Sequence, residues 1–329
     1  MRIAARAALS VVFCLIISWP SAWAQQSSRF PTKPVRLMVP YAPGGATDIT
    51  ARALADRLKE HWGQPVIVDN RPGASGNIAL ELMAQAPADG YTLFVGNVST
   101  NAINESIFRT LKTRPSRDLT GVTNLIELPH LWIVSPQIPV SSLKELVAHV
   151  KKTGARLNYA SAGVGSYPHL DALLFLNAAG IEMTHVPYKG GAAQMVPSVM
   201  GNETQFMFVN VASTLSQIRA NRLKPLATSW PTRLPELPEV PTVTESGFPG
   251  MGTNAWNGLF APARITAPVL NRIHADVLTV MQSSAMKDAL AKVMMSAVVN
   301  KSPAEYQAFV QQQTQKWAKV VRDNNITAE

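Results

Sequence analysis

Four short segments of the sequence are rich in glycine and small polar residues, and each follows an apolar run and precedes a helical pattern. The segments are 41–48, 97–101, 161–166 and 210–214. The N-terminus of a helix carries backbone N–H groups without intrahelical partners and a partial positive charge, so it can hold a carboxylate or phosphate without a charged side chain. Glycines let the backbone approach a ligand closely, and hydroxyl groups add donors. The four segments therefore predict an anion-binding site.

The same residue types also have a purely structural use. Gly-Gly before a helix often forms only a tight turn, and Ser, Thr and Asn are common N-cap residues. The segment 71–77 is open to both interpretations, because Ser75 or Asn77 could either join a backbone cradle or simply cap the next helix. None of these segments has the G-x-x-x-x-G-K-[ST] pattern of a P-loop, and none is a clean G-x-G-x-x-G after a strand.

A serine, a histidine and an aspartate that lie close together in the sequence offer an alternative, a secreted hydrolase. Ser161 or Ser166 would be the nucleophile, with His169 and Asp171 as its partners. The sequence lacks the G-x-S-x-G elbow, and a triad is recognised by geometry rather than by nearness in sequence. The histidines also show no H-E-x-x-H motif or paired spacing for a metal. We therefore predict a binding protein with no enzyme activity, no cofactor and no metal.

The segments that must position this site alternate between strand and helix patterns. Apolar, β-branched runs bounded by Gly, Pro, Asn or Ser predict seven strands. The predicted strands are 35–41, 66–70, 92–96, 131–135, 157–161, 184–188 and 205–210. Helical periodicity lies between them, and capping boxes at Ser142-x-x-Glu145 and Ser302-x-x-Glu305 mark two helix starts. The alternation predicts an α/β fold with mostly parallel sheets, in which ligands bind outside the carboxyl ends of the strands.

The composition is that of a globular protein of about two domains, with 329 residues of which 47% are hydrophobic. The formal net charge is +9, but lysines and arginines are scattered without a run of five, so nucleic-acid binding is a weak interpretation. Six prolines between positions 225 and 249 predict a rigid connector that carries the chain from one lobe back to the other.

The N-terminal residues show the three parts of a secretory signal peptide in order. Arg2 and Arg6 supply the positive region, residues 7–18 are apolar, and Ala22-Trp23-Ala24 presents small residues at a cleavage site. The apolar run is shorter than the ~20 residues that span a bilayer. Cys14, the only cysteine, lies inside this run after bulky residues, so neither lipidation nor thiol chemistry is expected. We predict that residues 1–24 are removed after Ala24 and that the protein is periplasmic.

A series of motifs resembles the solute receptors of tripartite tricarboxylate transporters, the Bug family. Each motif alone is modest, but their order and spacing are specific and cover nearly the whole chain after the signal peptide. The motifs are Pro34-Val35-Arg36, Val39-Pro40-Tyr41-Ala42-Pro43-Gly44-Gly45-Ala46-Thr47-Asp48, Val68-Asp69-Asn70-Arg71-Pro72-Gly73-Ala74, Ala88-Asp89-Gly90-Tyr91-Thr92-Leu93, Asn158-Tyr159-Ala160-Ser161-Ala162-Gly163, His169-Leu170, Val186-Pro187-Tyr188-Lys189-Gly190, Pro241-Thr242-Val243 and Trp256-Asn257-Gly258-Leu259.

The resemblance implies a two-lobe periplasmic-binding-protein fold, type II-like with two crossovers, in which each lobe has a mostly parallel sheet flanked by helices. We assign residues 25–124 and 231–329 to lobe 1 and residues 125–230 to lobe 2. It also implies a monomeric receptor that binds a small carboxylate, whether dicarboxylate, tricarboxylate, amino acid or aromatic acid, and delivers it to a transporter with a small and a large membrane subunit. A ligand sensor that signals through a membrane kinase is an alternative that the sequence leaves open.

The resemblance further implies that backbone N–H groups and ordered waters of the loop after the first strand hold the ligand carboxylate. The residues assigned to binding by motif are Tyr41, Ala42, Ala46, Thr47 and Asp48 in that loop, Ser161, Gly163 and Ser166 in the opposing lobe, and His169 and Tyr188 at the border of the cleft. The strand-end segments add Pro43, Gly44, Gly45, Ser75, Asn97, Ser99, Thr100 and Asn210. Three positions depart from the family pattern: Asn210 replaces a common Asp, Pro197 interrupts a usual helix, and Tyr167 is expected to narrow the pocket.

Overall fold

The computed structural model describes residues 30–252 and 255–327, so the predicted signal peptide lies outside the described residues. Within that part of the chain, no helix is long and apolar enough to cross a membrane. The strands are β1 Val35–Val39, β2 Val66–Asn70, β3 Thr92–Asn97, β4 Leu119–Leu128, β5 His130–Val134, β6 Asn158–Ser161, β7 Thr184–Pro187, β8 Phe206–Asn210, β9 Lys224–Thr228, β10 Ala255–Pro262 and β11 Ser296–Ala297.

The helices flank these strands. They are α1 Ala46–Trp62, α2 Asn77–Ala84, α3 Asn104–Ile107, α4 Pro115–Asp118, α5 Leu143–Thr153, α6 Tyr167–Ala179, α7 Ala192–Met200, α8 Leu215–Arg219, α9 Ala267–Gln282, α10 Ser284–Ala291 and α11 Pro303–Asp323. Short helical turns occur at Ala74–Gly76, Ser99–Ile103 and Val211–Ser213. The two predicted capping boxes are confirmed, because the Ser142 hydroxyl accepts a hydrogen bond from the Glu145 N–H at 3.1 Å and Ser302 does the same for Glu305 at 3.2 Å.

The strands form two sheets, each of which belongs to one lobe. Lobe 1 contains a six-stranded sheet of order β11-β4-β10-β3-β1-β2, and lobe 2 contains a five-stranded sheet of order β7-β6-β8-β5-β9. The chain passes from lobe 1 to lobe 2 between β4 and β5, and returns between β9 and β10. Two sheets flanked by helices agree with the predicted fold class.

One detail of that prediction is wrong, because the sheets are mixed rather than mostly parallel. In lobe 1, β1 pairs in parallel with β2 and β3, whereas β10 runs antiparallel to β3 and β4, and β11 antiparallel to β4. In lobe 2, β6 is parallel to β7 and β8, and β5 is antiparallel to β8 and β9. Both β5 and β10 enter their sheets directly from the other lobe, so no crossover helix within the lobe forces them to run parallel.

All seven predicted strands are confirmed, with ends that differ by at most two residues. The prediction missed β4, β9, β10 and the two-residue β11, and the first three contain residues that sequence rules treat as strand breakers. Pro225 is tolerated because β9 lies at the edge of its sheet and pairs only with β5. Pro197 lies inside α7 without ending it, so the predicted interruption of that helix is also wrong.

In the core of lobe 1, the last helix packs very closely against two strands. Tyr306 of α11 is fully buried. A Cβ atom at Gly258 of β10 would lie 1.6 Å from the Tyr306 hydroxyl, and one at Gly121 of β4 would lie 2.7 Å from the Tyr306 ring. Both strands therefore need glycine where α11 packs against them, which places α11 over the sheet that carries half of the candidate site.

Candidate functional site

A cavity of about 70 Å³ lies between the two lobes, at the ends of strands from both sheets. Its wall in lobe 1 consists of Tyr41, Gly45, Ala46, Thr47, Asn97, Val98, Ser99, Leu128, Ala255 and Asn257. Its wall in lobe 2 consists of His130, Ala162, Tyr167, Pro168, Gly191, Ala192, Met195, Val209 and Asn210. The lining combines small polar residues with an apolar surface, as is usual for small-molecule sites.

Three helices begin at this cavity. The first turn of α1 contributes Ala46 and Thr47, that of α6 contributes Tyr167 and Pro168, and that of α7 contributes Ala192. None of the three N-cap residues makes a side-chain capping hydrogen bond, whereas α5, α10 and α11, which begin elsewhere, are each capped by a serine. The first-turn N–H groups of α1 and α7 are therefore left for another acceptor, whereas in α6 the Tyr167 N–H donates to the Ser99 hydroxyl and Pro168 has no N–H. The helix dipoles make the cavity favourable for negative charge.

The described cavity lining contains no Asp, Glu, Lys or Arg. Its one titratable imidazole, His130, is neutral because burial lowers its pKa to about 3, an effect that the Leu128 carbonyl only partly opposes. A bound anion would therefore be met by backbone donors and neutral side chains, with no acidic group to repel it. A ligand that carries an ammonium group would find no counter-charge here.

The loop between β1 and α1 is held by a buried carboxylate. Asp48 accepts hydrogen bonds at 2.9 Å from the Gly44 N–H, from Asn70 Nδ2 and from the Arg52 guanidinium. Asn70 Nδ2 also donates to the Tyr41 carbonyl at 2.9 Å. Burial alone would raise the pKa of the Asp48 carboxyl, but the bonds from Arg52, Gly44 and Asn70 outweigh it and hold that pKa below its ordinary value. Asp48 thus holds the loop in position through hydrogen bonds and does not itself line the cavity.

We expect Asp48→Ala to lower the free energy of unfolding by about 2–3 kcal/mol, because hydrogen bonds to a charged group are lost and the Gly44 N–H loses its acceptor. Urea denaturation measures this change. Arg52→Gln is the matched control, and since Arg52 is half exposed, its effect should stay below about 1 kcal/mol. Equal effects of the two substitutions would show that Asp48 acts only as a surface ion pair.

A network of amides and hydroxyls lies beneath the lobe 1 wall. Asn97 Oδ1 accepts from the N–H groups of Ser99 and Thr100 at 3.0 and 3.2 Å, so it caps the helical turn after β3. The Thr47 hydroxyl accepts from Asn97 Nδ2 and donates to Asn257 Oδ1, both at 3.4 Å. These bonds orient Thr47 and Asn97 toward each other. Burial raises the pKa of the nearby Tyr41 phenol, whose hydroxyl donates to Asn97 Oδ1 at 3.5 Å.

Other predicted site residues join the two lobes to each other. Ser75 donates its hydroxyl to the Val164 carbonyl at 2.6 Å, and the Ser99 hydroxyl accepts from the Tyr167 N–H at 2.8 Å. A Cβ atom at Gly163 would lie 2.5 Å from Ser75 Oγ, at a positive φ of 116°. Glycine at 163 is thus required for this contact between the lobes.

In lobe 2, two histidines organise the loop 162–166 from outside the cavity. His185 Nε2 lies 2.6 Å from the Ser161 hydroxyl, which also accepts from the Gly163 N–H. His169 Nδ1 accepts from the Gly165 N–H at 3.2 Å, and its ring stacks on His185 at 4.1 Å. Burial lowers the pKa of His169 to about 3, helped by His185, and lowers that of His185 to about 4.

The serine and histidine of the hydrolase alternative do not form a catalytic pair. His169 Nδ1 is occupied by a backbone N–H, and the buried Ser166 hydroxyl has no hydrogen-bond partner among the described residues. Ser166 instead stands at the N-cap of α6, and Asp171 is buried farther along the same helix.

The structure brings only part of the predicted set to the cavity. Seven predicted residues line it: Tyr41, Gly45, Ala46, Thr47, Asn97, Ser99 and Asn210. The predicted residues outside the lining are Ala42, Pro43, Gly44, Asp48, Ser75, Thr100, Ser161, Gly163, Ser166, His169 and Tyr188. Tyr167, which we expected to narrow the pocket, does line it.

Sequence reasoning missed several cavity residues, among them His130, Gly191, Ala192, Met195 and Asn257. The sequence did contain a signal for Gly191 and Ala192, because Gly190-Gly191 lies between β7 and α7 in the same strand–turn–helix arrangement as the predicted segments. Asn257 lies in the motif Trp256-Asn257-Gly258-Leu259, which supported the family resemblance, but it was assigned no role. Nothing in the sequence around His130 pointed to a cavity.

Comparison with known proteins gives consistent matches over almost the whole chain. A profile of the tripartite tricarboxylate transporter family receptors matches residues 50–326. Protein BugT of Bordetella pertussis is 30% identical over 316 residues, which are 96% of this chain and 96% of BugT. Among solved structures, Rpa4515 of R. palustris with adipate is 33% identical, with a TM-score of 0.86 over 91% of this chain and 99% of that one. MatC (Rpa3494) from Rhodopseudomonas palustris with bound malate is 30% identical, with a TM-score of 0.83 over 89% and 100% of the two chains.

Proposed function

Because the chain belongs to the tripartite tricarboxylate transporter receptor family, we propose that it is a periplasmic receptor that binds a small carboxylate in the cavity between its lobes and delivers it to a membrane transporter. The observation that carries this proposal is the convergence of α1 and α7, both without side-chain caps, on one cavity whose described lining has no charged side chain. Such a site attracts an anion and offers hydrogen-bond donors to it.

The cavity favours a small dicarboxylate. The uncapped helix termini lie on both lobes, α1 on one side and α7 on the other, so a ligand with two carboxylates can engage both. The buried apolar side chains of Leu128, Met195 and Val209 can contact the aliphatic part of the ligand. Adipate and malate, which are bound by two similar proteins, have this form.

Ligand binding would favour the closed arrangement of the lobes. The bonds from Ser75 to Val164 and from Tyr167 to Ser99 cross between the lobes beside the cavity. A ligand that hydrogen-bonds to α1 and α7 together binds only when both lobes are near it, and it therefore shifts the equilibrium toward closure. A monomer that closes in this way can present the occupied form to a transporter.

The proposal also covers the export of the chain and the boundaries between its two lobes. Residues 1–24 would direct export and be removed after Ala24. The division of the lobes remains part of the proposal. Since β4 spans Leu119–Leu128 and pairs only within the lobe 1 sheet, we place the first crossover at Pro129 instead of at 124–125. The second lies in the segment 229–254, which contains the proposed boundary at 230–231.

We expect Thr47→Val to weaken carboxylate binding about fivefold, because a substitution of nearly equal size removes one hydroxyl from a network in which several neutral donors share the load, a loss of about 1 kcal/mol. Isothermal titration calorimetry measures the change. Thr279→Val, at an exposed position on α9, is the control and should bind normally. Complete loss of binding by Thr47→Val would instead assign Thr47 a unique role.

The proposed function is tested by a thermal-shift screen of the purified protein. The panel contains L-malate, succinate, adipate and citrate, with succinamide and adipamide as neutral analogues. A ligand that binds only the folded state stabilises it by about 2.7 kcal/mol at a hundredfold excess over Kd. We expect one or more carboxylates to raise the Tm and the amides not to do so. Equal shifts by the amides, or no shift by any carboxylate, would contradict the proposal.

A further inference from the structure

A loop of lobe 2, between β6 and α6, lies directly against lobe 1 beside the cavity. The Val164 carbonyl accepts a hydrogen bond from the Ser75 hydroxyl at 2.6 Å. A Cβ atom at Gly163 would lie 2.5 Å from Ser75 Oγ, and one at Gly165 would lie 2.8 Å from Ile107 Cγ2. The loop therefore fits against lobe 1 without space for one more carbon atom at either glycine. None of these five residues is among the cavity residues, so this contact between the lobes does not use the ligand.

The turn that carries Ser75 has an unfavourable backbone conformation. Ala74 and Ser75 have φ angles of 46° and 55°, in the left-handed region that residues with a side chain seldom adopt. Conformations of this kind persist where the surrounding structure holds them. Ser75 is buried, and its hydroxyl reaches the Val164 carbonyl of the other lobe. The strained turn thus presents a hydrogen-bond donor at the junction of the lobes.

The turn is held from within lobe 1 by Asn104, which is fully buried. Asn104 Nδ2 donates to the Ser75 carbonyl at 3.0 Å and to Asn77 Oδ1 at 2.5 Å. Asn104 begins the short helix α3, and Ile107, which packs against Gly165 of lobe 2, ends it. One helical turn therefore holds Ser75 and also touches lobe 2. Both bonds of Asn104 lie within lobe 1, so they orient Ser75 whether or not the lobes are together.

A preformed contact of this kind acts on the equilibrium between open and closed lobes. The bond between Ser75 and Val164 exists only when the lobes are together, and it needs no ligand. It therefore favours the closed arrangement in the empty receptor as well. Where only the closed form binds, the apparent affinity is the intrinsic affinity multiplied by the closed fraction. A residue that never touches the ligand can thus change the affinity for every ligand by the same factor.

We propose that Ser75, held in position by Asn104, is a latch that keeps the two lobes together without a ligand. Ser75 is then a positioning residue, which sets the affinity of the cavity for all its ligands alike and selects none of them. The inference rests on the proposed function only in placing the ligand between the lobes. It concerns the arrangement of the lobes and makes no statement about the identity of the solute.

The arrangement of the lobes is measured directly by a distance between two spin labels. Cys14 is the only cysteine and belongs to the predicted signal peptide, so the exported protein has no other thiol. Lys59→Cys on α1 and Lys152→Cys on α5 place one label on an exposed position of each lobe. Double electron–electron resonance then gives the distance without any ligand. The labelled protein is compared with its Ser75→Ala and Ser284→Ala variants, because Ser284 is an exposed serine on α10.

We expect the closed distance to be the major population of the ligand-free labelled protein. Ser75→Ala should lower the ratio of closed to open protein about fivefold, since one hydrogen bond is lost, and Ser284→Ala should leave it unchanged. Ser75→Gly is the second variant, because glycine adopts the left-handed turn without strain and also lacks the hydroxyl. It should shift the distances in the same direction as Ser75→Ala, which separates the lost bond from a disturbed turn.

Binding gives the second readout. L-malate, succinate, adipate and citrate are titrated by calorimetry into the unlabelled wild type, Ser75→Ala and Ser284→Ala. We expect Ser75→Ala to weaken the binding of every acid that binds the wild type by one common factor, about fivefold. A residue that contacts the ligand would change these affinities by different factors.

Three results would overturn the inference. The first is a ligand-free protein that shows only the open distance, and the second is an unchanged distance distribution in Ser75→Ala and Ser75→Gly. The third is a loss of affinity in Ser75→Ala that differs from acid to acid, which would place Ser75 in contact with the ligand. If none of the four acids binds while the ligand-free distances shift as expected, the latch is supported and the choice of carboxylate in the proposed function is rejected.

Discussion

Ala192→Asp is expected to abolish carboxylate binding while leaving the protein folded. Ala192 is the first residue of α7, lines the cavity and faces α1, since a Cβ atom at Gly45 would lie 3.9 Å from the Ala192 Cβ. An aspartate there would itself be stabilised by the start of the helix, where a negative charge contributes about 0.3–1 kcal/mol. It would occupy the anion site and repel a second carboxylate.

The repulsion between two carboxylates about 5 Å apart is roughly 3 kcal/mol at an effective dielectric constant near 20. We therefore expect the affinity for the best carboxylate of the panel to fall by about 100-fold or more in calorimetry. Ala192→Asn is the matched control, because it has nearly the same size without the charge, and it should lose far less. Similar losses for Asp and Asn would mean that space, and not charge, governs the effect, and would contradict an anion site at α7.

Acidification from pH 7.5 to pH 5.0 is expected to lower the free energy of unfolding by about 4–6 kcal/mol. The pKa values of His130 and His169 are about 3 in the folded protein, against an ordinary value of 6.5. The unfolded chain therefore binds more protons than the folded one below pH 6.5, so stability falls as the pH decreases through this window. Each histidine accounts for about 2 kcal/mol at pH 5.0. His185, whose pKa is about 4 and which is only half-buried, adds up to about 2 kcal/mol more.

Urea denaturation at the two pH values measures this loss, and His130→Phe identifies its source. That variant has no titrating group at position 130, so its loss between pH 7.5 and 5.0 should be about 2 kcal/mol smaller than that of the wild type. Asp48 does not interfere, because its pKa is below the ordinary 3.8 and it stays ionised at pH 5.0. A free energy of unfolding that is the same at both pH values would contradict the assignment of these histidines as buried and neutral.

The sequence was sufficient for those parts of the fold that local patterns determine. The apolar run of β1 and the glycines after it predicted a strand, a turn and a helix N-terminus, and α1 begins at Ala46 as that signal requires. The serine capping boxes at 142 and 302 predicted helix starts correctly because a cap depends on residues only three positions apart. Those features do not depend on what packs against them.

The missed strands depend on long-range packing. β10 contains Asn257 and Gly258, which are unfavourable for a strand by local rules. The structure explains both, because Gly258 makes room for Tyr306 of α11 and Asn257 contacts Thr47 and Thr50 of α1. Their partners are some 50 and 200 residues away in the sequence, so a local pattern could not indicate them.

In the candidate site, too, the residues recognisable from their sequence neighbours were predicted, and those placed by contacts between distant segments were not. Gly45, Ala46 and Thr47 were predicted because a helix N-terminus can be recognised locally. Ser75, Ser161 and His169 have residue types typical of a binding site, but their hydrogen bonds go to Val164, His185 and Gly165, so they shape and join the lobes. His130 could be recognised only after the second sheet had brought it opposite Asn210 and beside the cavity.

Carboxylate binding by the helix termini is tested most directly by an NMR titration that reports on the backbone amides themselves. Isotope-labelled protein is titrated with the carboxylate that gives the largest thermal shift, and the amide signals are followed to saturation. We predict that the N–H signals of Ala46, Thr47 and Ala192, at the starts of α1 and α7, move to the frequencies of strongly hydrogen-bonded amides, while those at the starts of the serine-capped α5 and α11 do not move. If the first-turn signals of α1 and α7 stay in place while the ligand binds, the termini of these helices do not hold the carboxylate, which would contradict the proposed site.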